Sequence, residues 1–234
     1  MSAKAAVVVF PGSNCDQDNV RSWKAVTGLT ADLVWHKETS LPNYDLVIVP
    51  GGFSFGDYLR CGAIARFSPI MGEIVRLAKR GNLILGICNG FQILTEAGLL
   101  PGALNRNKNL LYLCLDVHLR VENDRTAFTG DYRRGQVLKI PISHGEGGYS
   151  LKASELKALN DSDRVVFRYC APDGTVSPED APNGSQDNVA GIVNGRGNVL
   201  GMMPHPERLA EEDLGGTDGR ALFTSILQTL KGGL

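Results

Sequence analysis

The chain has 234 residues, 43% hydrophobic and 21% charged, enough apolar side chains to bury a substantial core in one globular domain spanning residues 1–234. A formal net charge of -1, with no run of Lys and Arg interleaved with aromatics, excludes the electrostatic footprint of a nucleic-acid-binding protein. The five cysteines are odd in number and far apart, with no C-x-x-C pair and no histidine at zinc-ligand spacing, so neither a disulfide framework nor a metal site is expected.

Residues 5–10 form an apolar run ended by Pro11 and Gly12. It is too short for a membrane span and lacks a signal-peptide cleavage pattern, so the expectation is a first strand in a cytoplasmic protein with no membrane partner. Residues 18–27 have helical spacing, 33–35 and 46–50 are strand candidates, and 69–79 is a second helix with Ser68 as its cap and Pro69 at its first position. Leu83–Ile87 is the next strand. Continuous apolarity predicts that these strands are buried on both faces. The fold class is therefore α/β, a doubly wound, mostly parallel sheet flanked by helices. Ligands bind such sheets beyond the carboxyl ends of the strands, where Pro11, Gly51, Gly52 and Cys88 fall.

The second half changes character and predicts an additional antiparallel β portion. Strand-like runs cover 110–121, 137–142, Val165–Cys170, Val189–Val193 and 199–203. Residues 171–187, rich in Pro, Gly, Asp and Ser, predict a mobile or solvent-exposed loop. Residues 195–198, Gly-Arg-Gly-Asn between two apolar runs, predict a hairpin turn rather than a phosphate loop, and no Walker motif exists. Residues 221–230 close the chain as a helix.

The apolar run 83–87 leads directly into Gly86-Ile87-Cys88-Asn89-Gly90, a cysteine version of the G-x-S-x-G nucleophile elbow. Small residues two before and two after the nucleophile are needed because a β-carbon there strikes neighbouring backbone. The helix that follows directs its free N–H groups at the sulfur, an arrangement that favours a reactive thiolate. A cysteine packed as a small hydrophobe is the ordinary alternative, and the flanking glycines argue against it.

A thiolate nucleophile needs a base. Of His36, His118, His144 and His205, the last is followed by Pro206 and Glu207. Proline disfavours helical geometry in the residue before it, so this tripeptide is expected to be extended, with His205 and Glu207 on one side. Glu207 would then orient the ring while the other nitrogen faces Cys88. An oxyanion needs two backbone donors: Asn89, just after the nucleophile, and the Gly51-Gly52-Phe53 loop are placed to supply them, with Gly52 and Phe53 the candidates.

A cysteine elbow with a distant His-Pro-Glu resembles class I, or triad, glutamine amidotransferases. The blocks at 50–69, 86–94, 141–149 and 201–208 are similar to the glutaminase subunits of phosphoribosylformylglycinamidine synthases, over nearly the whole chain. The resemblance implies a flavodoxin-like fold and the catalytic set Cys88, His205 and Glu207. It also implies contacts to substrate glutamine from Gln92, Ser143 and His144. It further implies a synthetase subunit that converts formylglycinamide ribonucleotide with ATP and Mg, a small bridging subunit, no cofactor in this chain, and partner contact through residues 53–65, including Arg60. Two other readings are a cysteine hydrolase or redox protein of the DJ-1 type, which lacks the His-Pro-Glu segment, and a non-catalytic regulatory subunit, which usually lacks one of the three residues.

Overall fold

The β-branched runs become strands whose pairing brings the loops after β1, β3, β4 and β11 to one end of a single sheet. The computed structural model describes residues 3–42 and 44–232. Strands β1 (Ala5–Val9), β2 (Ala31–Trp35), β3 (Leu46–Val49) and β4 (Leu83–Ile87) alternate with helices α1 (Asp16–Thr27) and α2 (Pro69–Arg80), and α3 (Asn89–Glu96) follows β4. The chain continues through β5 (Ala103–Asn105), β6 (Leu113–Val121), β7 (Val137–His144), β8 (Gly148–Ser150), α4 (Ala153–Asp161) and β9 (Val165–Cys170). It ends with β10 (Val189–Val193), β11 (Val199–Met202) and α5 (Arg220–Gly232).

The nine-stranded sheet has the order β2-β1-β3-β4-β11-β10-β9-β6-β7, and β5 and β8 form a separate antiparallel pair. From β2 to β11 the pairing is parallel; from β11 to β7 it is antiparallel. Every residue of β3, β4 and β11 is buried, as continuous apolar runs in a covered sheet should be. Each large aliphatic side chain buried there contributes about 1.5–3 kcal/mol.

The structure corrects several expectations. β2 lies at the sheet edge, so Leu33 and Trp35 are 46% and 43% exposed rather than buried. β6 starts at Leu113, because Leu110 takes a left-handed conformation (φ 59°) that ends the ladder. The Ser68 hydroxyl does not cap α2; it bonds His36 Nδ1 at 3.0 Å. The 171–187 loop is ordered: Ser177 and Asp180 form a capping box, and Asn183 and Ser185 are buried. The turn between β10 and β11 and the closing helix form as expected.

Candidate active site

Cys88 sits between β4 and α3 with φ 51° and ψ −108°, a strained non-glycine conformation of the kind a nucleophile elbow requires. The glycines make the elbow possible. A β-carbon on Gly90 would lie 1.9 Å from the Val49 carbonyl oxygen, and one on Gly86 would lie 2.8 Å from Gly90 backbone. Gly90→Ala is therefore expected to cost about 3 kcal/mol or more, since α3 must lift from β3. The urea midpoint of the variant measures this; a midpoint equal to the parent's would contradict the packing.

β11 lies beside β4 in parallel register, Met202 opposite Ile87, so the segment after β11 emerges next to Cys88. His205 is fixed there by its N–H, which donates to the Pro141 carbonyl on β7 at 2.9 Å. Its backbone (φ −103°, ψ 84°) is non-helical, as a residue before proline should be. The segment does not stay extended: Pro206–Arg208 turns as a short 3-10 helix. The two side chains still meet, with His205 Nδ1 2.6 Å from Glu207 Oε1, 1% and 0% exposed. Ser22 of α1 donates to the Glu207 carbonyl at 2.6 Å and holds the turn in place. Burial pushes the His205 pKa down, but the Glu207 carboxylate, then Cys88 and Cys15, outweigh it and hold it well above the usual value.

Cys88 and His205 line one small cavity of about 20 Å³ together with Asn14, Cys15, Gly52 and Tyr112, with Ser143 and Arg208 at its wall. The Cys88 thiol donates to the Ser143 carbonyl at 3.6 Å. Asn89 is the first residue of α3, so its N–H has no intrahelical partner. Gly52 borders the cavity with φ 147°, and a β-carbon there would come within 2.8 Å of backbone of residues 12–14. Phe53 differs from expectation: its N–H donates to the Gly12 carbonyl at 2.9 Å, and it contributes its ring, stacked on Tyr112.

The three residues expected to contact substrate are placed differently from one another. The Ser143 hydroxyl, at the cavity, bonds the Tyr112 hydroxyl at 2.8 Å. Gln92 is buried, accepting from Asn89 Nδ2 at 2.8 Å and donating to the Glu146 carbonyl, so both ends of its amide are bonded within the protein. His144 is buried, with Nδ1 on Asn107 Oδ1 at 3.1 Å, and burial followed by the His205 charge pushes its pKa down to about 4. Asn14, Cys15, Tyr112 and Arg208 belong to the site although no local pattern marked them. The only cue was Pro11 and Gly12, which end β1 at the same sheet edge.

A cysteine on a strand-to-helix elbow, with a buried His-Glu pair just beyond the neighbouring parallel strand, is the arrangement of a triad amidotransferase of the α/β type. Residues 2–214 match the CobB/CobQ-like glutamine amidotransferase domain, and the chain belongs to that family. It is 57% identical over 224 residues to the phosphoribosylformylglycinamidine synthase subunit PurQ of Moorella thermoacetica, covering 96% of this chain and 95% of that protein. It is 55% identical over 224 residues to the PurQ subunit of Gloeobacter violaceus, covering 96% and 97%. A chain of the PurLQS structure from Thermotoga maritima superposes with a TM-score of 0.85 at 44% identity, covering 98% of this chain and all of that one.

Proposed function

We propose that this chain is the glutamine-hydrolysing subunit of a phosphoribosylformylglycinamidine synthase. The observation that carries the reading is the His205–Glu207 pair, 2.6 Å apart, whose histidine lines the same cavity as Cys88. Cys88 attacks the side-chain amide of glutamine, and the tetrahedral oxyanion, held by the N–H groups of Asn89 and Gly52, collapses to a γ-glutamyl thioester. His205 gives a proton to the departing ammonia and then takes one from the water that cleaves the thioester, while Glu207 accepts from its Nδ1–H. Ser143 lies where the amino-acid end of glutamine would be held. Gln92 and His144 act from behind it, Gln92 by orienting Asn89 and the 145–147 backbone.

The cavity at Cys88, about 20 Å³, adjoins a larger one of about 320 Å³, and Phe53 and Tyr112 line both. Ammonia is delivered to a synthetase subunit that amidates formylglycinamide ribonucleotide with ATP and Mg, with a small bridging subunit, in the cytoplasm; this chain carries no cofactor of its own. Among the described residues no helix is long and apolar enough to cross a membrane.

Treatment with a glutamine-mimicking chloroketone tests the reading by peptide mass mapping. One adduct on Cys88 is expected, suppressed by excess glutamine and formed faster when the partner subunits are added. Label spread over Cys15, Cys61, Cys114 and Cys170, or unaffected by glutamine, would overturn it.

A further inference from the structure

Among the described residues, one group of buried metal-ligating side chains comes together: Cys15, His205 and Glu207 each bring one ligand atom within 4.8 Å of the others. The first two come from opposite ends of the sequence, which is why cysteine spacing gave no sign of a site. Cys15 is 1% exposed; its Sγ accepts from Arg208 Nη2 at 3.0 Å and donates to Asn14 Oδ1 at 3.1 Å. Cys88 closes on the same point. A β-carbon on Gly51 would meet His205 Cε1 at 2.8 Å, Cys15 Sγ at 3.1 Å and Cys88 Cβ at 3.5 Å. His205 Nε2 is buried without a hydrogen-bond partner. Glutamine hydrolysis uses one thiol, yet two line this cavity.

We propose that Cys15, Cys88 and His205 Nε2 form a binding site for a soft divalent cation, Zn²⁺, that shuts off glutamine hydrolysis by occupying nucleophile and base together. Two thiolates and an imidazole are the donors this ion prefers, leaving the fourth position for water. The surroundings suit a metal. Glu207 Oε1 accepts from His205 Nδ1–H, the carboxylate–histidine pairing that aims the free nitrogen at an ion. Arg208 donates to the Cys15 sulfur, as outer-shell groups do to ligating thiolates. Two thiolates neutralise the dication, and Arg208 and Glu207 balance each other. Zinc–sulfur bonds of about 2.3 Å and zinc–nitrogen bonds of about 2.0–2.1 Å set ligand atoms roughly 3.5–4 Å apart, and Cys15, Cys88 and His205 all line the one cavity in which Cys88 must turn its sulfur toward the other two.

Any protons on the three donor atoms are displaced by the metal and go to solvent. The inhibition rests on the glutaminase reading; the binding does not, and is read with no glutamine present.

The test uses the full chain, with Zn²⁺ titrated against a chromophoric chelator and Co²⁺ as spectroscopic probe. One equivalent per chain is expected, and the Co²⁺ complex should show a near-ultraviolet thiolate charge-transfer band with the intensity of two sulfurs. Cys15→Ser and Cys88→Ser should each halve that band and lower Zn²⁺ affinity at least about a hundredfold, above the ten- to hundredfold that outer-shell partners contribute. Cys114→Ser, on an exposed strand position, should change neither. Absence of the band, or a band unchanged in both active-site variants, would overturn the site. The cobalt spectrum of the unsubstituted chain counts sulfurs even if a variant fails to fold.

Discussion

Cys88→Ala is expected to lower glutamine-dependent ammonia release by about 10⁴-fold or more, with little change in stability. The elbow conformation, φ 51°, is as strained for cysteine as for alanine, so the backbone cost is the same in both proteins. What is lost is the sulfur with its contact to the Ser143 carbonyl, about 1 kcal/mol or less, or a shift in Tm of about 2–4 °C in a chain of this size. The rate therefore isolates the nucleophile. A coupled ammonia assay on the assembled synthase, beside a melting curve of the variant, measures both. Activity within tenfold of the parent would remove Cys88 from the chemistry.

Glu207→Gln is expected to lower kcat by about 10³- to 10⁴-fold, because the amide can present N–H groups to Nδ1 and favour the wrong tautomer of His205. A second signature separates this from simple damage. In the parent, burial pushes the His205 pKa down from 6.5, but Glu207 first, then Cys88 and Cys15, raise it well above that value. A raised folded pKa contributes stability that is complete below 6.5 and is lost as pH rises through the folded pKa. The glutamine variant lacks that contribution, so the stability gap between parent and variant should be widest below about pH 6.5 and shrink on the alkaline side. Urea midpoints from pH 6 to 9 measure it. A pH-independent gap would show that Glu207 does not hold the imidazolium.

The elbow was legible because its requirements are local: Gly86 and Gly90 lie two residues either side of Cys88, and their missing β-carbons are the clearance that Val49 and α3 need. The His205–Glu207 contact was legible for the same reason, although the turn at Pro206 was not. What escaped depended on long-range pairing. The apolarity of residues 33–35 is that of a central strand, but only the sheet order puts β2 at an edge. α4 buries only Leu159 and so carries too thin an apolar stripe to be read. Residues 171–187 have the composition of a mobile loop, yet Asn183 donates to the Gly147 carbonyl at 2.9 Å and Ser185 accepts from the Tyr149 N–H at 3.0 Å. Those bonds tie the loop to the 147–149 backbone. Cys15 was not singled out because nothing near it in sequence shows that the carboxyl ends of β1, β3, β4 and β11 lie along one side of the sheet.

The position of β11 also sets an order in time. It lies in the interior of the sheet, between β4 and β10, yet it is the last strand of that sheet in chain order. Until it is made, the nascent chain holds two open strand edges facing an unfilled slot, the kind of surface that recruits other chains. Cys88 is present throughout that interval without His205 or Glu207 beside it. The thiol thus stays chemically unfinished during synthesis, and the step that fills the slot between β4 and β10 is the same step that gives the nucleophile its base.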